Sequence, residues 1–341
     1  MHRNHTETPE APARLSVRSG LLATLALLAM GLTTMPAPAG AASCEENGSC
    51  CSRTARRIFH SCRVDTREEQ HLGIANCINV GDDAERQACR SDVDADREEA
   101  LEECDDQLDA RLELCGQVGE DRYDPDFDPV NFVDPDDIGG AVAPNPYFPL
   151  VVGNQWVLEN EDETITDTVL NEIKLIEGVR CRVVRDVVEE DGVAIEITDD
   201  WYAQDLAGNV WYCGEIAQNF ESFEGDDPEV PELVDIDGSF KTGREGAKPG
   251  ILMLAAPMVG DVYRQEAAYD EAEDVAEVTS ITGTEEVEGA SCDGDCVVTR
   301  DFTPIEPGHE ETKYYAPNVG LILEVDEEGG RTELVEFNQA P

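Results

Sequence analysis

The spacing of the cysteines is the feature that most limits how this chain can fold. Eight of its twelve cysteines lie between residues 44 and 115. From Cys51 to Cys115, the intervals between consecutive cysteines read the same in both directions. The intervals within each arm, 11 and 15 residues, correspond to about three and four turns of α-helix, which returns the cysteines of one helix to nearly the same face. The spacing therefore predicts an antiparallel helical hairpin with cysteines facing each other across it.

This hairpin arrangement predicts a ladder of disulfide bonds. The expected pairs are Cys51–Cys115, Cys62–Cys104 and Cys77–Cys89, with Cys44–Cys50 closing a small terminal loop. The turn falls near residues 79–83, where Gly81 can end the first helix and Asp82 or Asp83 can cap the second. Because the apolar stripe of the second arm is narrow, covalent bonds would offset the shortage of buried apolar surface.

The first 42 residues have the pattern of a secretory signal. Arg14 and Arg18 precede the apolar run Leu21–Leu32, and small residues follow it. That run is about a dozen residues, whereas a membrane-spanning helix needs roughly 20. The even number of later cysteines fits the oxidising compartment that such a signal leads to. We expect a secreted, extracellular or periplasmic protein with no transmembrane segment. A surface lipoprotein acylated at Cys44 is the alternative.

The charge of the chain limits its partners. It has 76 Asp and Glu against 24 Lys and Arg, a formal net charge of −52. Such a charge repels the phosphates of nucleic acids, so we expect no nucleic-acid partner. A cationic partner or divalent cations are the natural counterparts.

An acidic segment rich in Asp and Pro, residues 119–143, separates the hairpin (residues 43–118) from the remainder. Asp124, Asp126 and Asp128 occupy alternate positions, hence one side of an extended chain. They are weak calcium candidates, and a solvated acidic linker is the alternative. Phe127 and Phe132 are interleaved with them, which predicts that the segment lies against a folded domain.

Residues 144–341 read as a β-domain. Short alternating runs are separated by turn residues, and no helical pattern intervenes. About ten antiparallel strands in a curled sheet or barrel are expected, with residues 221–237 as a solvated acidic loop. The whole chain is therefore predicted to be α+β and mainly β. For its last four cysteines we favour Cys181–Cys296 and Cys213–Cys292, with a local Cys292–Cys296 loop left open.

Several motifs of the β-domain are similar to those of known proteins. Residues 145–150 (NPYFPL) with Gly153-Asn154-Gln155-Trp156 resemble the opening of a β-domain in a group of exported bacterial proteins of uncharacterised function. Residues 201–205 and 314–321 are similar to later motifs of that group, and a cysteine hairpin precedes its β-domain. The resemblance implies the domain boundaries and the exported location. It implies no activity and no catalytic residue.

The sequence contains no recognisable catalytic motif. A nucleophile elbow, a zincin helix, a phosphate loop and a dinucleotide fingerprint are all missing from it. His309 falls in a turn, and no carboxylate pair stands out among the many acids. We therefore predict no catalytic or cofactor-binding residues and an exported structural or binding protein. The alternatives are a carrier of an apolar small molecule in a β-barrel or half-barrel and a secreted carboxylate-dependent hydrolase. A hollow or a packed interior would discriminate among them.

Overall fold

A computed structural model of the chain describes residues 49–340. The predicted signal segment and the Cys44–Cys50 pair involve residues outside this range. The described chain begins with two antiparallel helices, α1 (Cys50–Ile78) and α2 (Asp83–Val118). The Asp82 side chain accepts hydrogen bonds from the backbone N–H groups of Ala84 and Glu85. Of the two candidates for the N-cap, Asp82 and Asp83, the structure therefore has Asp82, and this cap fixes where α2 begins.

The disulfide ladder of the hairpin is confirmed. Three bonds join Cys51 to Cys115, Cys62 to Cys104 and Cys77 to Cys89. The buried apolar side chains of α2 are few and are concentrated toward its C-terminal end, where Leu114 is 1% exposed. The part of the hairpin near the turn therefore depends on its disulfides more than on apolar burial.

Removing the middle disulfide should loosen the helices without unfolding the β-domain. The Cys62→Ser/Cys104→Ser double variant lacks this bond. By restricting the unfolded chain, the bond stabilises the folded state by on the order of 3 kcal/mol. We expect the helical circular dichroism to melt at a lower temperature, while tryptophan fluorescence melts as before. All three tryptophans lie at or after residue 156, so fluorescence reports on the β-domain. A matched Cys292→Ser/Cys296→Ser variant should leave the helical transition unchanged. A joint shift of both transitions in the first variant would contradict this prediction.

Residues 155–338 contribute the fourteen strands of one antiparallel sheet. The strands are β1 (Gln155–Glu159), β2 (Glu163–Ile176), β3 (Val179–Glu190), β4 (Val193–Gln204), β5 (Val210–Glu221), β6 (Glu232–Asp235), β7 (Lys248–Met253), β8 (Val262–Arg264), β9 (Glu266–Ala267), β10 (Val275–Glu286), β11 (Ser291–Phe302), β12 (Glu310–Ala316), β13 (Gly320–Val325) and β14 (Arg331–Asn338). Their order is β8-β10-β11-β12-β13-β14-β1-β2-β3-β4-β5-β7-β9, with β6 paired to β5. The two strands at the ends of this order, β8 and β9, follow each other in the chain, separated by Gln265 alone. The sheet is therefore nearly closed and barrel-like, as the α+β, mainly β, prediction anticipated.

Two details of the β-domain differ from the sequence prediction. Residues 221–237 are not wholly a solvated loop, because β6 within them pairs with β5. The disulfides are Cys181–Cys213 and Cys292–Cys296, so the favoured pairing of these four cysteines was wrong and the local loop is present. The physical reason is the strand order. β3 and β5, which carry Cys181 and Cys213, both flank β4, whereas β11 with Cys296 lies far along the sheet.

The acidic segment lies against the β-domain, as its aromatic residues predicted. The Tyr123 hydroxyl donates to the carbonyl oxygen of Pro249 at 2.8 Å. The rings of Phe127 and Phe132 lie 6.2 and 5.8 Å from that of Trp211. This segment is therefore a packed strap and not a free spacer.

The disulfide bonds indicate the kind of compartment in which the protein folds. The five disulfides described above are typical of an oxidising, extracellular environment. No helix within residues 49–340 is both long and apolar enough to cross a bilayer.

Candidate binding cavity

The interior of the barrel contains a cavity of about 570 Å³. This volume is within the range of small-molecule sites, roughly 300–1,000 Å³. Its lining is unusual because half of the lining residues are carboxylic acids. They are Asp186, Glu196, Asp200, Glu215, Glu266, Glu271, Asp274, Asp301, Glu306 and Glu311. Lys313 is the one lysine or arginine among the described lining residues.

Strand alternation places the acids of β4 inside the barrel. Glu196, Thr198, Asp200 and Tyr202 occupy every second position of the strand, and all four line the cavity. Successive side chains of a strand point to opposite faces, so Trp201 lies on the other face. There it packs in a smaller core with residues of β3 and β5 and with the aromatic rings of the strap.

A tyrosine bridges two of the buried acids. Asp200 on β4 lies directly opposite Glu215 on β5. The Tyr212 hydroxyl contacts Asp200 Oδ1 and lies 2.6 Å from Glu215 Oε2. One hydroxyl hydrogen can serve one carboxylate, so the second contact requires another proton. Burial raises the pKa of Asp200 and of Glu215, which keeps a proton available to this pair.

Two other acids of the lining, Asp186 and Asp301, each have a buried carboxyl oxygen without a hydrogen-bond partner among the described residues. Asp301 is 8% exposed, and its Oδ2 accepts a hydrogen bond from Gln265 Nε2 at 3.2 Å. Within the described chain, Asp301 Oδ1 and Asp186 Oδ1 have no hydrogen-bond partner. Burial raises the pKa of Asp301, and burial together with Asp167 raises that of Asp186 to about 8. A buried acceptor without a partner costs about 1–3 kcal/mol and calls for an explanation, such as a ligand that completes its bonding.

Lys313 shows how this interior holds an ammonium group. Its Nζ lies 3.0 Å from Glu311 Oε2 and 3.0 Å from Glu324 Oε1. Burial alone would lower the pKa of Lys313, but Glu324 and Glu311 raise it well above its ordinary value. The lysine is therefore charged, and an alkylammonium group is compatible with the lining.

The residues singled out as calcium candidates lie in the strap and do not line the cavity. Asp124 pairs with Lys248 at 2.6 Å, and Asp128 caps a turn through the Val130 N–H at 2.9 Å. The Asp126 carbonyl oxygen accepts a hydrogen bond from Asn131 at 3.4 Å. Across residues 49–340, no three or more His, Cys, Asp or Glu side chains gather in a way that could hold a metal ion.

Sequence reasoning did not single out the cavity acids. The aromatic residues Tyr202 and Tyr212 line the cavity, whereas Trp156 and Trp201 are packed in cores. His309 also lies in the lining, and its Nδ1 is 3.3 Å from Glu327. The available signal was the alternation of polar residues from Glu196 to Tyr202, but it does not say which face of the strand is inside.

Comparison with known proteins adds no assignment. No protein family, curated protein or solved structure matches this chain. The resemblance to exported bacterial proteins therefore stays a prediction.

Proposed function

We propose that this protein is an exported, non-catalytic binding protein whose barrel cavity takes a ligand with several ammonium groups, as in a linear polyamine. The observation that carries the proposal is the lining, with ten carboxylic acids and one lysine. In a partly dehydrated interior the attraction between opposite charges is stronger than in water. A polycation would relieve the repulsion among these acids and would supply the donors that Asp186 and Asp301 lack.

The distribution of the acids favours an extended ligand over a compact one. They come from β3, β4, β5, β9, β11 and β12 and from the loops beside β10 and β12. A single small cation could contact a few of them, whereas a flexible chain bearing several charges could reach many. An apolar ligand is disfavoured, because it would cover carboxylic acids without giving them hydrogen bonds.

Binding of spermine, which carries four ammonium groups, tests this proposal. We expect isothermal titration calorimetry to show binding that weakens with added salt and is stronger at pH 8 than at pH 5, because the cavity acids must ionise. The Asp301→Asn variant should bind at least about tenfold more weakly, the loss expected for a hydrogen bond to a charged group. Asp128→Asn makes the same chemical change in the strap and should bind like the wild type. Equal affinity for a neutral diol of the same length would contradict the proposal.

The carboxyl pair bridged by Tyr212 favours hydrolysis as a second candidate function. Retaining glycosidases hold two carboxyl groups about 5 Å apart, and Asp200 and Glu215 contact the same hydroxyl group. In that case the protein would turn over a glycoside, and Asp200→Asn would abolish turnover while Asp128→Asn would not. Binding of spermine without turnover of any glycoside would favour the first proposal.

A further inference from the structure

Helix α2 contacts the two loops that form the rim of the cavity. The first, residues 268–274, joins β9 to β10 and contributes Glu271 and Asp274 to the lining. The second, residues 303–309, joins β11 to β12 and contributes Glu306. We call these two segments the rim loops. The hairpin therefore contacts loops that line the cavity and is more than a spacer in front of the barrel.

The first rim loop is held by a buried ion pair. Arg111 Nη2 lies 2.7 Å from Glu273 Oε1, and Arg111 Nε lies 3.1 Å from Glu273 Oε2. The side chains are 4% and 1% exposed. Glu273 Oε1 also accepts a hydrogen bond from the Asp270 N–H at 2.9 Å, so the carboxylate orders its own loop. A bidentate arginine pair of this kind fixes orientation as well as position.

The second rim loop is held by Gln107, which lies one helical turn before Arg111 on α2. Gln107 Nε2 donates to the carbonyl oxygen of Ile305 at 2.8 Å. Gln107 Oε1 accepts a hydrogen bond from Arg111 Nη1 at 3.2 Å. Gln107 is 5% exposed, so its bonds are shielded from water. One continuous network on α2 thus joins both rim loops.

The disulfide ladder makes this attachment rigid. Gln107 and Arg111 lie between Cys104 and Cys115, and each of these cysteines is bonded to α1. We propose that Arg111 and Gln107 are positioning residues through which the hairpin holds both rim loops and thereby sets the affinity of the cavity for its cationic ligand. This inference rests on the proposed function for the nature of the ligand.

The effects of charge and of loop position on the affinity for a cation have opposite signs in the Arg111→Gln variant. Replacing Arg111 by Gln leaves Glu273 without its counter-ion in the first rim loop, and the added negative charge alone would strengthen the binding of a cation. A weaker affinity would therefore report the release of the loops. The Arg111→Gln/Glu273→Gln double variant removes both charges and isolates the effect of position. Arg86→Gln removes an arginine from the exposed Asp83 pair at the other end of α2 and is the matched control.

The experiment measures two properties of the full-length protein. Spermine affinity is measured by calorimetry, and amide hydrogen exchange is measured in both rim loops without ligand. For Arg111→Gln and for the double variant, we expect about a tenfold or larger loss of affinity, within the usual range of coupling between sites. Exchange in both rim loops should become faster. Arg86→Gln should change neither property.

The outcomes test the inference about the rim loops and the proposed function separately. Wild-type affinity in the double variant would overturn the inference, as would faster exchange confined to residues 268–274. Gln107→Leu keeps the ion pair and serves if the arginine variants fail to fold; it should speed exchange in residues 303–309 and weaken binding. A wild-type protein that does not bind spermine would refute the proposed function, while the exchange data would still decide whether α2 holds the rim.

Discussion

Raising the pH from about 5 to about 8 is expected to destabilise the ligand-free β-barrel. Burial and Glu324 raise the pKa of Asp167 to about 7, and burial and Asp167 raise that of Asp186 to about 8. In the unfolded chain, both carboxyls ionise near pH 4. The folded state therefore binds more protons than the unfolded state throughout this window. The free energy of unfolding must fall as the pH rises, by up to about 1.4 kcal/mol per pH unit for each carboxyl.

The ion pairs of the protein do not reverse this fall in the free energy of unfolding between pH 5 and pH 8. Arg182 lowers the pKa of Asp136, Lys248 lowers that of Asp124, and Lys313 lowers that of Glu311. Carboxyls with a lowered pKa stabilise the fold above their unfolded pKa, and that contribution is lost as the pH falls below about 4. Stability should therefore be greatest near pH 5.

Urea unfolding followed by tryptophan fluorescence between pH 5 and pH 8 measures this slope. The Asp186→Asn variant carries no titrating group at that position and should show a shallower slope. Asp128→Asn in the strap should keep the wild-type slope. Spermine, on the proposed function, should restore stability at pH 8 by occupying the ionised cavity. A stability that is constant or rises from pH 5 to pH 8 would refute the prediction.

The hairpin was predictable because its constraints are covalent and local. A helix has a fixed rise and rotation per residue, so mirrored intervals from Cys51 to Cys115 define one alignment of the two arms. Asp82 marks the start of α2 by its own side chain. Neither inference requires knowledge of the β-domain.

The β-domain pairing was harder because it depends on strand order. Alternating runs indicate strands, but they do not say which strands become neighbours in a nearly closed sheet. Cys181 and Cys296 begin runs of similar pattern and were favoured as a pair, yet their strands β3 and β11 are far apart in the sheet order. The similarity of the two runs carried no information about distance.

The cavity was not predictable because both faces of its strands carry acids. On β4, Asp200 faces the cavity while Asp199, one residue earlier, pairs with Arg185. Buried acids are rare, so acids in a sequence are ordinarily assigned to the surface. This protein departs from that rule in its interior, and such departures concentrate at functional sites.

Removing the ammonium group of Lys313 should destabilise the barrel at pH 8. Lys313→Ala leaves Glu311 and Glu324 without their shared cation. Breaking a buried pair costs about 3–5 kcal/mol, and we expect about 2–3 kcal/mol because the Lys313 side chain is still 22% exposed. The loss should shrink as the pH falls toward 5, because Lys313 lowers the pKa of Glu311 and its removal lets that carboxyl take up a proton more readily. Urea unfolding measures it, and Lys248→Ala, which breaks the exposed pair with Asp124, should have a much smaller effect.

The same variant tests whether the interior accepts an ammonium group from solution. Alanine at position 313 lacks the three methylenes and the ammonium of lysine, which together correspond to n-propylammonium. Millimolar n-propylammonium should therefore restore part of the stability of Lys313→Ala, since a ligand that binds the folded state alone stabilises it by mass action. The same salt should leave Lys248→Ala unchanged, because that pair lies in water. Equal stabilisation of both variants would indicate a general salt effect and would contradict an ammonium site inside the barrel.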